Sequence, residues 1–322
     1  MNTLNEGIVA AISKQMANNK KILPFLMELL DLGRESVYRR LRGEIPFTFE
    51  EVSKISLSLG ISTDEIIGMQ QADTRALFNI HELGSPNPMD AYSDNLEDTI
   101  AIFKRMKEDK NSKLIMAINH LPIILSVQFE NLTKFRHYKW AHQTQQVPLN
   151  FYFSDFALSS QRFKQYKTYI YNYVRVGDIT AIVDSNMILS VTKEVSFFYK
   201  RNLITKEEFD LLQDELLQVI DYMEVLAQTG INEPGANISI YLSYLNIESN
   251  SRYMEFEDTK CVQFWVYKNN PITVFNEKVC QIQKEWLESL KKYSTLISRS
   301  NEIQQSQFFN KQREYIRNIE NH

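Results

Sequence analysis

A chain of 322 residues with 43% hydrophobic and 12% aromatic side chains can bury a sizeable core and is long enough for two domains, which excludes wholesale disorder. Glycine (9) and proline (8) are scarce, which argues against glycine-rich phosphate cradles, β-sandwiches and long loops, and favours helices. With a formal charge of −4 and a pI of about 5.9, the surface as a whole repels phosphate, so any contact with nucleic acid must come from a local patch.

Residues 4–17 place Leu4, Ile8, Ala11, Ile12 and Met16 at helical spacing. A second helix is expected from Ile22 to Leu30, with Pro24 tolerated in its first turn. Asp31-Leu32-Gly33 reads as a tight turn, because Asp accepts the left-handed conformation at modest cost and Gly33 can cap the next helix. The third helix runs from Arg34 to about Arg42, and Gly43 stops it. Thr48-Phe49-Glu50-Glu51 is a capping box that opens a fourth helix to Leu59, closed by Gly60. Ser62-Thr63-Asp64-Glu65 repeats the device for a short fifth. The expectation is an all-α, five-helix domain over residues 1–71.

Residues 72–95 are expected to be a linker, centred on the structure-breaking run Ser85-Pro86-Asn87-Pro88. Beyond it, helical periodicity marks 96–109, 122–140, 185–201, 205–228, 275–293 and 302–319. Thr205 to Glu208 forms a second capping box, and Gly230 is a stop. Lys113–Ile118 is ambiguous between helix and strand. Between 238 and 267 the period changes to two: Ile238, Ile240 and Leu242 alternate with polar neighbours, and the runs Arg252–Glu257 and Cys261–Tyr267 follow after turn residues. This predicts a three-stranded antiparallel meander. Residues 96–322 are therefore expected to form an α+β domain, helix-rich with a small antiparallel sheet.

Chemistry finds few handles in that second domain. Cys261 and Cys280 have neither disulfide-framework nor zinc spacing and read as idle thiols in a reducing cytoplasm. The opening MNTLNEGIVAAISKQ lacks a basic start followed by an apolar core, so no secretion signal is expected. The longest apolar stretch, Leu114 to Val127, is interrupted by Asn119, His120 and Pro122 and is too short and polar to span a bilayer. A cytoplasmic protein with no membrane partner is the expectation. His137 and His142 would diverge on a helix, so no metal is expected, and no cofactor motif is present. No GxSxG, HExxH or glycine-rich loop occurs, and the carboxylate clusters sit at helix starts, so catalytic residues are not expected and the chain does not read as an enzyme. His120, beside Asn119 and Pro122, could line a polar pocket or simply cap a helix. Ser298, Arg299, Ser300 and Asn301 gather hydroxyls, an Arg and an Asn before the last helix, where an anionic effector could sit; a capped loop with Ser300 near the N-cap is the plainer alternative.

The most informative element is the third helix. If Val37 points inward with Leu41 one turn later, then Arg34, Glu35, Ser36, Tyr38 and Arg39 point outward. Arg bridges the O6 and N7 acceptors of guanine with two hydrogen bonds, worth roughly 1–3 kcal/mol of base discrimination. Arg40, Arg42, Lys20 and Lys21 fit better as phosphate contacts. Ser36-Val37-Tyr38-Arg39 leading to Arg42-Gly43, then Pro46, a Thr-capped helix and the closing Leu59 to Ile66 run, resembles the helix-turn-helix of Cro/lambda-repressor-like (XRE-type) regulators. The resemblance spans residues 26–67 and implies that Arg34, Glu35, Ser36, Tyr38 and Arg39 meet DNA. Met27, Asp31 and Arg40 depart from that family's small bracing residue, turn glycine and apolar position. The expected function is sequence-specific transcriptional regulation: residues 1–71 bind double-stranded DNA, and residues 96–322 form a homodimer, accept a small-molecule effector, or both. Nine acids against eight bases in residues 1–70 keep an alternative open, an intracellular protein-interaction module (antitoxin-like or scaffold) that docks a protein with its helical N-terminus.

Overall fold

The computed structural model describes residues 4–16, 22–61, 63, 66, 88–144, 146–267 and 270–321. The chain divides into two compact units, Met1–Leu77 and Phe78–His322.

The first unit contains α1 (Leu4–Gln15), α2 (Ile22–Leu30), α3 (Arg34–Leu41) and α4 (Phe49–Leu59). Ile8 and Ile12 of α1, Leu26 and Leu30 of α2, Val37 of α3 and Val52 and Ile55 of α4 share one core. Thr48 opens α4 as a reciprocal capping box with Glu51, and Gly60 closes it in the left-handed region at φ 64°. Asn5 ties α1 to the loop after α3: its amide donates to the Arg40 carbonyl at 3.2 Å and its oxygen accepts from the Phe47 backbone at 2.9 Å. The expected fifth helix falls largely outside the described residues, as do residues 67–87 with most of the expected linker.

The second unit is built on a seven-stranded mixed sheet. In chain order its elements are α5 (Pro88–Glu108), β1 (Lys113–Ile118), α6 (Ile123–Ser126), α7 (Glu130–Gln143), α8 (Ser160–Tyr173), β2 (Asp178–Asp184), α9 (Leu189–Lys200), α10 (Lys206–Thr229), β3 (Asn237–Ser243), β4 (Ser251–Phe256), β5 (Thr259–Tyr267), β6 (Asn270–Val274), α11 (Glu277–Lys292), β7 (Ser294–Leu296) and α12 (Glu302–Arg317). The strand order is β6-β5-β4-β1-β2-β3-β7. β1, β2 and β3 run parallel, whereas β4, β5, β6 and β7 pair antiparallel with their neighbours. No helix among the described residues is long and apolar enough to cross a membrane.

The sheet is thus larger than the small antiparallel one expected, and its antiparallel meander is β4-β5-β6, without the 238–242 strand expected to begin it. β4 and β5 do form a hairpin, but β3 pairs parallel with β2, Ile179 opposite Ile238 and Ile240 opposite Ala181. Parallel partners lie far apart in sequence and need long crossovers, so local periodicity cannot reveal them. β2 carries an apolar Ile-Thr-Ala-Ile-Val run, as suits a strand covered on both faces. One face presents Leu114, Met116, Ile118, Ile179, Val183, Ile240, Met254 and Phe256 to the main core shared with the surrounding helices. Across the other face lies α11, in contact with β1, β3, β4, β5 and β7, and its Cys280, Leu287 and Leu290 are buried. The helix expected over 122–140 is split, because Pro122 and Phe129 each begin a helix with extended backbone. α8 has no counterpart in the sequence-based expectation; it packs against α5, which starts at Pro88 inside the stretch expected as linker.

Candidate nucleic-acid interface

The first unit holds a helix, a turn and an arginine-rich helix. Leu32 N donates to Met27 O at 3.2 Å, and Asp31 takes the left-handed conformation at φ 52°, which turns the chain out of α2. Gly33 is the extended N-cap of α3, with Val37 N donating to its carbonyl at 3.2 Å. Val37 is fully buried and Leu41 half-buried, so the helix has the rotation inferred from the sequence. Arg34, Glu35, Tyr38, Arg39 and Arg42 are exposed, and Ser36 is half-buried.

The arginines differ in what holds them. Arg34 has no ion-pair partner among the described residues. Arg39 and Arg42 share Glu44, at 3.4 and 3.2 Å, and all three side chains are about half exposed. Arg42 also lies over the Tyr38 ring, 4.7 Å from its centroid. Pairs this open contribute little to stability and are easily exchanged for phosphate. Arg40, expected as a phosphate contact, is turned inward: its side chain is only 13% exposed and grips Glu51 of α4. Its position three residues after Val37 brings it to the flank of α3 that faces α4. The capping-box glutamate there has acceptor capacity to spare. Glu51 had been legible only as a cap. Lys20 and Lys21 lie outside the described residues.

In the second unit, the polar groups of the expected effector segment have partners within the chain. Ser298 Oγ accepts from Ile240 N at 3.0 Å, and Asn301 Nδ2 donates to Leu296 O at 2.8 Å. Arg299 donates from Nε and Nη2 to the carbonyls of Thr229 and Gly230, both at 2.6 Å, and so caps the carboxyl end of α10. Ser300 is half-buried, and the N-cap of α12 is Asn301. His137 is buried and bonded to the Tyr166 hydroxyl, while the His142 ring packs edge-on to Tyr138 at 4.6 Å.

Residues 11–81 match the family model of the BetR domain. That domain is a DNA-binding domain of helix-turn-helix type, and the matched stretch contains all of α2, the turn and α3. This part of the chain is therefore similar to a DNA-binding regulator module. No curated protein and no solved structure matches the chain.

Proposed function

We propose that the chain is a sequence-specific, DNA-binding transcriptional regulator whose first unit is a helix-turn-helix of the Cro/lambda-repressor-like type. α3 enters the major groove with Arg34, Glu35, Ser36, Tyr38 and Arg39 toward base edges, while Arg42, Lys20 and Lys21 hold phosphates. The observation that carries this reading is the coincidence of the BetR match with an exposed cationic face on α3. One such helix reads only a few base pairs, so two copies are needed on a two-fold-related site. The second unit supplies that pairing and has no catalytic role in this reading.

The surface we assign to pairing is the outer face of α11. Ile282 and Trp286 on that face, and Phe275 and Tyr293 just beyond the two ends of the helix, are large, apolar and exposed. Phe275 and Tyr293 are equidistant in sequence from Lys284, as are Ile282 and Trp286. An antiparallel second copy would therefore oppose Phe275 to Tyr293 and Ile282 to Trp286, which is the self-complementarity a two-fold dimer requires.

The test is fluorescence anisotropy on random duplex DNA and on a duplex selected by the protein. Arg34→Ala and Arg39→Ala should each cost about 1–3 kcal/mol on the selected site and narrow the gap to random DNA. Binding to either duplex that is indifferent to Arg34, Arg39 and Arg42 would remove the DNA reading.

A further inference from the structure

The carboxyl end of β1 opens into two narrow cavities that meet at the same two side chains. One is lined by Ser126, Arg136, Lys139, Ser190 and Glu194, together with His120. The other is lined by Tyr169, Tyr173, Asn250, Arg252 and Trp265, again with His120 and Arg136. In open α/β sheets the crevice outside the carboxyl ends of parallel strands is where ligands bind. Here the parallel part of the sheet ends, because β1 has β2 on one side and the antiparallel β4 on the other, with Arg252 opposite Met116.

His120 is held at the junction. Its Nδ1 donates to Asn119 Oδ1 at 2.7 Å, and its Nε2 accepts from Asn250 Nδ2 at 3.0 Å. This network requires the neutral ring and fixes its plane. Asn250 is itself fixed by accepting from Asn119 N at 2.7 Å.

Arg252 is the unusual group. It is buried, and a guanidinium does not lose its charge in a protein. Among the described residues no carboxylate lies within ion-pair distance of it. Its Nε donates to the neutral Gln263 at 2.5 Å and its Nη1 to the Tyr169 hydroxyl at 3.2 Å. The guanidinium carbon sits between the Phe103 and Trp265 rings, 4.9 and 5.0 Å from their centroids. Gln263 is in turn anchored to Thr99 and Thr273, so the arrangement is rigid. Across the two cavities the lining carries Arg136, Arg252 and the ion pair of Lys139 with Glu194. A buried cation without a counter-ion is costly, and a bound anion would offset that cost.

We propose that these joined cavities bind a small organic anion. Its carboxylate or phosphate lies between Arg136 and Arg252, and its carbon framework lies against Tyr169, Tyr173 and Trp265. The site rests on the regulatory function proposed above, to which it adds an effector site, and is distinct from the Ser298–Asn301 segment.

The experiment uses the full chain without DNA, so that its outcome is independent of DNA recognition. Thermal unfolding and calorimetric titration are followed with benzoate, phenyl phosphate, acetate and inorganic phosphate, each against sodium chloride at equal ionic strength. The phosphate and carboxylate arms separate the two head groups, and the aromatic and plain arms report the framework. Saturable binding is expected for at least one aromatic anion, weakened tenfold or more by Arg252→Met and by Arg136→Gln. Circular dichroism checks each variant; if Arg252→Met does not fold, the half-buried Arg136→Gln decides. The proposal is overturned if none of the four anions binds saturably beyond the chloride control, or if the folded variants bind as the parent does.

Discussion

Arg40 and Glu51 join α3 to α4 through two parallel hydrogen bonds, Nε to Oε2 at 2.9 Å and Nη2 to Oε1 at 2.8 Å. The same carboxylate accepts the Thr48 backbone N–H at 2.8 Å, and Arg40 Nη1 reaches the Ser36 carbonyl at 3.2 Å. One ion pair therefore closes the α4 cap and sets the angle of α3. Removing either partner leaves the other charge nearly buried, so Arg40→Met or Glu51→Gln should destabilise the first unit by about 1–3 kcal/mol. Burial alone would raise the Glu51 pKa, but the hydrogen bonds from Arg40 and Thr48 and the Arg40 charge outweigh it, and the carboxyl lies below its usual range. A depressed folded value means the contribution is complete above the unfolded pKa of about 4.3 and is lost as the pH falls through the folded value. Amide hydrogen exchange in α3 and α4 should show this acid-dependent opening in the parent and a flatter profile in Arg40→Met.

Glu44 makes a different prediction because its pairs are exposed. It holds Arg39 at 3.4 Å and Arg42 at 3.2 Å, so DNA must displace it from both, a base edge at Arg39 and a phosphate at Arg42. Exposed ion pairs are worth at most about 1 kcal/mol, which bounds the gain from removing this competitor. Glu44→Gln should tighten binding to random duplex DNA by about two- to fivefold at low salt. The steepness of the salt dependence should rise with it. Anisotropy titrations across a salt series measure both, and unchanged affinity would mean that Arg39 and Arg42 do not meet DNA.

In the second unit the pH response centres on His137. Burial, reinforced by the charges of Arg162 and Arg136, holds its pKa well below the usual value, so the folded ring is neutral. The unfolded ring takes up a proton near pH 6.5, and more protons are then bound by the unfolded state. Stability should hold above that pH and fall as the pH drops from about 6.5 toward the folded value. The midpoint of thermal unfolding should drop less between pH 7 and 5 in His137→Gln, which cannot titrate. An equal drop in parent and variant would place the acid sensitivity elsewhere.

What could be read from residues alone followed the range of the forces involved. Thr48 with Glu51, Thr205 with Glu208, Gly60 and Gly230 act within one turn of their helices, and each stands where the sequence places it. The rotation of α3 was legible because a lone Val37 among charged neighbours leaves one way to bury it. Arg40 was misjudged because its partner, Glu51, lies on another helix. The sheet was misjudged for the same reason at larger scale: Ile238, Ile240 and Leu242 alternate as they would in a hairpin, and only the distant Asp178–Asp184 segment makes them a parallel strand. Likewise His120 could be flagged as a pocket residue, yet nothing local links it to Arg252, which arrives on β4.

Trp286 tests the pairing of two copies. On α11 the buried face is Cys280, Leu287 and Leu290, so Trp286 can be changed without touching the core. It is 43% exposed in the single chain, too large an apolar group to leave to water without reason beside the still more open Ile282. Aromatic anchors near the centre of an interface commonly cost 2 kcal/mol or more when lost, and a carboxylate there would also be set against the apolar Ile282 of the second copy. Trp286→Glu should leave the circular dichroism spectrum intact and shift the mass measured by light scattering from dimer to monomer. Affinity for the selected duplex should fall far more than affinity for random DNA, because the second half-site no longer contributes. If the variant remains dimeric, the outer face of α11 is not the pairing surface, and the exposed stripe needs another explanation.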